Sequence, residues 1–264
     1  MKTLSFPIFV FLSALLISIP LLAQDEEYEI LKTNEPIKID GNLEEWADVP
    51  GIYTEEWEDN GGTSKGPNDI SLTFYLLWSE DALYFAAEVT DDEHLHQNTG
   101  ESIWNGDSIQ LAIDPTGKRP AGGFDGVSYE YNFGLDVEDE VVLSRLFGDP
   151  GGWPKHLVDP FSNEGDLAII RDDDKSKTYY ELMIPAKHLA PAEFIADAEI
   201  GFGMICNDSD GAAPGQAGWV GWGTQSIVFG KDNSQMNLVI FSKEELAVSP
   251  EGKSPDTWGH IKSR

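Results

Sequence analysis

The sequence predicts an all-β protein, an antiparallel β-sandwich whose only helices are single turns. From residue 36 onward, short runs of alternating apolar and polar residues recur with turn residues between them. Such period-two runs, separated by Gly, Pro, Asn and Asp, are typical of strands buried on one face. No long stretch has the apolar period of an amphipathic helix. About ten strands in one domain favour a sandwich architecture.

The candidate strands follow one another along the chain. Residues 72–78 alternate, and residues 83–89 return after the polar turn 79–81, which predicts a β-hairpin. Residues 108–113 and 128–133 alternate strictly. The remaining candidate strands are residues 141–147, 167–171, 179–184, 200–207, 238–241 and 258–262.

Single helical turns are predicted at three places, residues 44–47, 186–189 and 243–246. Pro185 fixes its own φ angle just before the second of these turns, where a helix start tolerates proline. All three are too short to form a helical layer, so the predicted core lies between sheets.

Two of the candidate strands carry polar side chains on one face. If these strands pair, five polar side chains line one sheet surface beside Trp104. A polar surface flanked by an indole ring suits a carbohydrate. A solvated sheet face has the same appearance, so both interpretations stay open. The five polar residues are Ser108, Gln110, Ser128, Glu130 and Asn132.

The first 23 residues predict a secretory signal peptide. Lys2 supplies the positive charge, residues 6–22 are mostly apolar, and the small residue Ala23 precedes Gln24. The alternative is a transmembrane anchor, which the interrupting prolines and the missing positive flank disfavour. We therefore expect a secreted protein, extracellular or periplasmic, with no membrane association after cleavage.

The rest of the chain divides into two parts. Residues 24–35 are rich in acidic and polar side chains and predict a polar leader with little to bury. Residues 36–262 then form the single predicted β domain.

The charge of the chain excludes some partners. With a formal net charge of −30, the surface repels nucleic acid and anionic membranes. The 47 Asp and Glu residues make acid pairs so common that no pair identifies a glycosidase site. The single cysteine, Cys206, predicts a buried and inert thiol. No nucleophile or phosphate-loop motif is present.

Seven segments carry recognisable motifs in a fixed order. The first reads I-D-G-x-L-x-E-W and ends at Trp46, and the most distinctive reads W-N-G-D-S-I-Q-L-A-I-D and begins at Trp104. Together and in this order the seven segments resemble family 9 carbohydrate-binding modules. They are residues 37–46, 78–84, 88–92, 104–114, 180–185, 200–208 and 255–261.

The resemblance implies a β-sandwich of the DOMON-like, jelly-roll type that binds sugars without catalysis. Members often accompany secreted glycoside hydrolases, and they use calcium structurally. We therefore expect a carbohydrate-binding protein that holds a poly- or oligosaccharide in support of carbohydrate catabolism. The resemblance implies no catalytic residues.

Sugar-binding members hold a terminal sugar between two aromatic side chains. Trp104 matches one of these walls, although it could instead plug the end of the sandwich. Gln110 stands in the place of a Glu that bonds sugar hydroxyls, and it keeps an acceptor. Asn207 matches an Asn-Asp pair, for which turn capping is the alternative role.

Two positions depart from the family pattern. The second aromatic wall normally precedes the last motif, where residues 251–254 contain no aromatic side chain. Trp222 or Phe229, from the preceding loop, are the expected substitutes. Glu130 stands where binding members often have a basic residue. Asn132 completes the predicted site, as the next residue on the same strand face.

Metal ligands are suggested near residues 91–96. His94 and His96 lie beside Asp91 and two further acids, although a solvated loop is the simpler interpretation. The resemblance implies a structural calcium ion, with Asp91 or Asp107 among its ligands. The run at 207–211 has the polar look of a calcium loop but lacks the distal Glu of an EF-hand.

Two other classes of function stay open. The shared architecture allows a haem-binding, DOMON-type electron-transfer domain, which would need axial ligands. The third class is a structural surface or adhesion component. The available haem ligands are His94, His156, His188, Met204 and Met236.

Overall fold

The computed structural model describes residues 27–123, 126–147, 155–161, 164–210 and 215–246. Within these ranges the chain forms fourteen strands that belong to one curled sheet. The strands are β1 Glu27–Lys32, β2 Gly51–Thr54, β3 Trp57–Asp59, β4 Ile70–Trp78, β5 Ala82–Asp91, β6 Ser108–Asp114, β7 Tyr129–Leu135, β8 Val141–Phe147, β9 Lys155–Val158, β10 Asp166–Asp172, β11 Lys177–Pro185, β12 Glu199–Asp208, β13 Gly218–Trp222 and β14 Asn237–Glu245.

Helical structure among these residues consists of six short 3-10 helices. None is long and apolar enough to cross a membrane. The helices are Leu43–Trp46, Gly100–Asn105, Asp173–Lys175, Ala186–Leu189, Thr224–Ser226 and Asn233–Gln235.

The predicted all-β class with short helical turns is confirmed, whereas the purely antiparallel arrangement is wrong. The strand order is β10-β11-β5-β4-β1-β14-β12-β6-β7-β8-β9, with β2 on β4 and β13 bridging β12 and β3. β1 runs parallel to both of its neighbours, β14 and β4, while all other pairs are antiparallel. The sheet is therefore mixed.

The prediction of a polar leader over residues 24–35 is wrong for β1. Ile30 is buried in the main core, and it lies opposite Phe241 of β14. Tyr28 packs against the same core. Acidic residues alternate with these side chains, so the composition of the segment indicates a polar leader. The alternation itself has the period of two that is typical of a strand. Residues 24–26, the predicted signal peptide and the predicted strand 258–262 lie outside the described residues.

Two of the three predicted helical turns are confirmed, at residues 44–47 and 186–189. The turn predicted at 243–246 is wrong because β14 continues to Glu245, which pairs with Lys32 of β1. Pairing with a parallel partner far away in sequence overrides the local helical preference of this segment. The other candidate strands within the described residues all form strands.

The main core lies inside the curl of the sheet and is rich in aromatic rings. Phe74 stands between Phe85 and Phe202, with ring centroids 6.2 and 6.3 Å apart. On β6, Ile109, Leu111 and Ile113 face this core and are fully buried. The alternate residues of β6 therefore face the opposite surface, where the candidate site lies.

Glu181 of β11 anchors the opening I-D-G-x-L-x-E-W motif. Its Oε1 accepts a hydrogen bond from Trp46 Nε1 at 2.8 Å, and its Oε2 accepts from the backbone N–H groups of Asp40 and Gly41. Gly41 has φ +81°, and a Cβ there would lie 2.2 Å from Ile170. Burial raises the pKa of the Glu181 carboxyl. The carboxylate fixes the turn, and the turn lays Trp46 over the outer face of β4 and β5.

Replacing this anchor should destabilise the protein strongly. Glu181→Ala leaves the buried donors of Trp46 and Gly41 without an acceptor, and each such donor costs about 1–3 kcal/mol. We expect the free energy of unfolding to fall by about 2–6 kcal/mol, measured by urea denaturation. Glu193→Ala, at an exposed acid, is the control and should change it by less than about 0.5 kcal/mol. Equal effects of the two substitutions would contradict the anchoring role.

Candidate functional site

An open cleft of about 480 Å³ lies on the outer face of β6 and β7. Two exposed aromatic side chains, Trp104 and Phe229, stand at its walls. The 3-10 helix Gly100–Asn105 delivers Trp104 just before β6, and the turn after Thr224–Ser226 delivers Phe229. The polar residues that line the cleft are Asn60, Gln110, Glu130, Gln216 and Lys231.

Strand register brings the predicted polar residues together. Gln110 of β6 lies opposite Asn132 of β7, and Glu130 lies opposite Ala112. On the other side of β6, Ser108 lies opposite Asn207 of β12. The pairing on which the predicted polar face depends is therefore present.

Of the five polar residues predicted for that face, Gln110 and Glu130 line the cleft itself, whereas Ser128 bonds to another part of the chain. It precedes β7, is buried, and accepts a hydrogen bond from Asn233 Nδ2 at 3.0 Å. Its side chain supports the loop that follows Thr224–Ser226.

The floor of the cleft is a connected network of amide and carboxylate groups. Gln110 Nε2 donates to Glu130 Oε1 at 2.9 Å and to Asn132 Oδ1 at 2.8 Å. Asn207 Nδ2 donates to Gln110 Oε1 at 3.1 Å and to the Trp104 carbonyl at 3.0 Å. Since both protons of the Gln110 amide have protein acceptors, the network orients the floor and fixes the backbone beneath Trp104.

Exposure separates the residues that a ligand can reach from those that support them. Asn132 is fully buried, and Asn207 has 1% of its surface exposed. Trp104 is 37% exposed and Phe229 is 72% exposed. The alternative in which Trp104 is a core plug therefore does not describe its position. The buried amides hold the cleft in shape, while the two aromatic walls face solvent.

Trp219 underlies the Phe229 wall and was missed by the sequence interpretation. It lies on β13 opposite Asn207, is buried, and lines the cleft. Its ring centroid is 5.4 Å from that of Phe229, with an angle of 59° between the planes. The alternation of β13 could have indicated it, because Trp219 and Val220 must face opposite sides of the sheet.

The structure does not bring Trp222 to the cleft. Trp222 lies three residues beyond Trp219 on the same strand, and so it faces the opposite side. Its ring packs against Tyr28, Phe74 and Phe202, with centroid distances of 5.8–6.3 Å. Of the two expected substitutes for the second wall, only Phe229 reaches the cleft.

Glu130 has a cationic partner from a distant part of the chain. Lys231 Nζ lies 2.5 Å from Glu130 Oε2, and only 4% of the Glu130 side chain is exposed. The resemblance placed a basic residue at position 130. Here the basic group comes from Lys231, which sequence reasoning missed because the two residues meet only in the folded protein.

Asp91 and Asp107, the predicted metal ligands, lie together with His94. One ligand atom from each of the three lies within 4.8 Å of the others. Asp107 accepts hydrogen bonds from Ser209 N and Oγ, at 2.7 and 2.9 Å, and from Leu95 N. Burial, and the neighbouring Asp91, raise the pKa of Asp107. Hydrogen-bond donors of the protein therefore already engage much of the Asp91 and Asp107 carboxylates.

A second acidic cluster lies close by and was missed as a cluster. Asp69, Asp92 and Asp210 place one oxygen each within 4.8 Å of one another. Two buried oxygens, Asp208 Oδ2 and Asp210 Oδ1, have no hydrogen-bond partner. Burial raises the pKa of Asp208 to about 6 and that of Asp210 to about 7, and nearby carboxylates add to both shifts. Carboxylate oxygens are donors that calcium takes. The Lys65 ammonium already pairs with this cluster, with its Nζ 3.2 Å from Asp69, 3.1 Å from Asp92 and 3.9 Å from Asp210.

A curled β-sheet with an aromatic-walled cleft over a polar floor defines a class of ligand-binding β-sandwich protein. The family described as carbohydrate family 9 binding domain-like matches residues 39–240. The chain therefore belongs to this family, as the motifs predicted.

Solved structures share the fold at low sequence identity. A family 9 carbohydrate-binding module from Caldicellulosiruptor kristjanssonii, solved with cellotriose, has 16% identity and a TM-score of 0.60, over 85% of this chain and 100% of that one. A family 9 carbohydrate-binding module from the same organism, solved with glucose, has 16% identity and a TM-score of 0.56. This match covers 86% of this chain and 100% of that one. A putative carbohydrate-binding protein from Bacteroides uniformis has 9% identity and a TM-score of 0.56, and the match covers 83% of this chain and 100% of that one. No curated protein sequence matches the chain.

Converting Gln110 to Glu should disturb the floor of the cleft. The variant replaces the donor that faces Glu130 and Asn132 with an acceptor, so a second carboxylate meets Glu130. We expect Gln110→Glu to lower the free energy of unfolding by about 1–3 kcal/mol in urea denaturation at neutral pH. The double variant Gln110→Glu/Glu130→Gln exchanges the two groups and should recover part of the loss. A single variant as stable as the wild type would contradict the network.

Proposed function

We propose that this chain is a secreted, non-catalytic carbohydrate-binding module that holds an oligosaccharide or the end of a polysaccharide in the cleft. The observation that carries the proposal is the pair of exposed aromatic side chains, Trp104 and Phe229, above a buried polar network. Aromatic faces stack on the apolar C–H faces of pyranose rings. Relatives of the same fold were solved with cellotriose and with glucose.

The proposal divides the work between the walls and the rim. The walls supply stacking, and polar groups at the rim, from Gln216 and Asn60, are placed to bond hydroxyls. The buried amides below keep the rim groups oriented, so little ordering is needed on binding. Its context is carbohydrate catabolism alongside secreted glycoside hydrolases, with residues 1–23 as the export signal.

A glycan array on the mature protein tests the proposal directly. Binding of a defined set of oligosaccharides supports it, and the absence of binding to every glycan contradicts it. An absorption spectrum of the same sample tests the haem alternative, since a Soret band would favour electron transfer. Failure of both measurements would favour the surface or adhesion class.

A structural calcium ion is the second part of the proposal. The resemblance implies calcium near Asp91 and Asp107. The second cluster, formed by Asp69, Asp92 and Asp210, is the alternative site, and its partnerless buried Asp210 Oδ1 is a free donor for the ion. Calcium there would take the place of the Lys65 ammonium, whose Nζ lies 3.2 Å from Asp69 Oδ1 and 3.1 Å from Asp92 Oδ2. Such an ion would neutralise carboxylates that burial brings together, and it would tie the end of β5 to the end of β12.

Truncating the Trp104 wall should weaken binding while sparing the fold. For Trp104→Ala we expect a loss of about 2 kcal/mol or more in binding free energy, because an aromatic anchor is removed. The stability should change by less than about 1 kcal/mol, because the side chain is partly exposed. Titration calorimetry with the best array glycan, together with thermal melting, measures both quantities.

Tyr53→Ala is the matched control for that prediction. Tyr53 is 56% exposed on β2 and is not part of the cleft lining, so binding should be unchanged. A Trp104 variant that binds as the wild type does, or that melts much earlier, would contradict the role of Trp104 as a sugar platform.

Calcium should raise the melting temperature. A ligand that binds only the folded state stabilises it by about 2.7 kcal/mol at 100 times its dissociation constant. We expect chelation to lower the melting temperature of the wild type, and Asp210→Asn to abolish most of that difference. Asp173→Asn, at an acid whose side chain is 88% exposed, is the control.

The two acidic clusters are separated by a parallel variant. If Asp107→Asn rather than Asp210→Asn removes the response to calcium, the ion belongs to the cluster of Asp91 and Asp107. A wild-type melting temperature that is unaffected by exhaustive chelation removes calcium from the account.

A further inference from the structure

The wall residue Phe229 stands on a turn with an unusual backbone. We call residues 227–231 the Phe229 turn. Within it Phe229 has φ +49°, Gly230 has φ +126° and Lys231 has φ +57°. Glycine adopts such angles readily, whereas Phe and Lys do so only where the surrounding contacts hold them. This strained backbone presents the aromatic ring of Phe229 to solvent, so other contacts must hold Phe229 and Lys231 in place.

The Lys231 side chain folds back over the Phe229 turn. Its Nζ donates to the Ile227 carbonyl at 2.9 Å and lies 2.5 Å from Glu130 Oε2. The Lys231 N–H donates to the Val228 carbonyl at 3.2 Å. One ammonium group therefore joins the first residue of the turn to the buried carboxylate of the cleft floor.

A neighbouring loop supports the turn from the side. A Cβ at Gly123 would lie 2.5 Å from the Lys231 carbonyl oxygen and 2.9 Å from that of Gly230, so the two backbones are in close contact. Asn233 N donates to the Gly122 carbonyl at 3.0 Å. The C-terminal half of the turn is thereby held, and Phe229 projects from it.

The position of Phe229 shows what this arrangement achieves. At 72% exposure it is the most exposed large apolar side chain among the described residues. Its ring nevertheless packs on Trp219 and lines the cleft. An apolar ring held in water by a constrained turn is preorganised for contact, because less conformational freedom remains to be lost on binding.

We propose that Lys231 is the positioning residue of the Phe229 wall, and that its ion pair with Glu130 locks the turn to the polar floor so that the wall stands ready for carbohydrate. The inference rests on the proposed function. It adds that the affinity of the cleft depends on a residue acting through Phe229. Since Glu130 also accepts from Gln110, the wall and the floor form one unit.

The first experiment measures the turn without any ligand. In hydrogen exchange on Lys231→Met, the amides of Lys231 and Asp232 should exchange at least about tenfold faster, because their hydrogen bonds to Val228 and Gln225 loosen. Amides of β6 and β7 should keep their protection. Unchanged exchange at 231 and 232 would overturn the proposal.

The second experiment is a double-mutant cycle in the affinity for cellotriose, or for the strongest glycan of the array. Phe229→Ala and Lys231→Met should each weaken binding by about 2- to 10-fold, the range expected for one stacked aromatic contact. The combined variant should lose no more than Phe229→Ala alone, since Lys231 acts through Phe229. Lys231→Arg should restore most of the affinity.

Trp104→Ala supplies the matched comparison. Because Trp104 does not depend on Lys231, the fold-loss of affinity in Trp104→Ala should multiply with the fold-loss in Lys231→Met. Undiminished affinity in Lys231→Met would overturn the proposal. So would a loss that multiplies with that of Phe229→Ala, which would place Lys231 in direct contact with the sugar. If Lys231→Met does not fold, Glu130→Gln/Lys231→Met removes both charges together and replaces it in both experiments.

Failure of the function is distinguishable from failure of this inference. A wild-type protein that binds no glycan contradicts the function and with it the role of the wall. A wild-type protein that binds, with a Lys231→Met variant of equal affinity, contradicts only the positioning role.

Discussion

The register of β6 between β7 and β12 is the constraint on which the rest of the structure depends. It sets Ile109 and Leu111 into the aromatic core and brings Gln110 between Asn132 and Asn207 on the outer face. A slip of β6 by one residue would turn Gln110 toward the core, and Ile109 and Leu111 toward the cleft. Core and candidate site are thus two consequences of one pairing, and neither can change alone.

The polar network that this register creates bonds mainly to itself. Gln110 links Glu130, Asn132 and Asn207, although the buried Asn132 Nδ2 has no hydrogen-bond partner. Above this network the cleft presents aromatic walls and a few rim groups. Lys231 connects the aromatic wall to this network, since it joins the Phe229 turn to Glu130. The chain has a net charge of −30 and only 17 Lys and Arg residues. One of them, Lys231, lies beside the cleft, where its ion pair holds the Phe229 turn in position.

Prediction succeeded where alternation and local motifs carry the information. Alternation predicted the strands of the cleft and the pairing of β6 with β7, and a local motif placed Trp104 just before β6. Phe229 was one of two residues expected for the second wall. Prediction failed where partners are remote or where composition misleads. The acids of β1 mask its apolar alternation, and the strand period of β13 turns Trp222 toward Phe74 rather than toward the cleft. Lys231 meets Glu130 only after 101 residues of chain have folded back.

The sequence alone determined the all-β class, the family and most residues of the polar face, because side-chain alternation and turn chemistry are local properties of the chain. Only the tertiary structure decided that β1 lies parallel between β4 and β14, that Trp219 supports Phe229, and that Asp69, Asp92 and Asp210 converge. These arrangements depend on which distant strands become neighbours. That choice is made by burial of the whole core, because the free energy of burial depends on the complete set of contacts and is not encoded in any single segment.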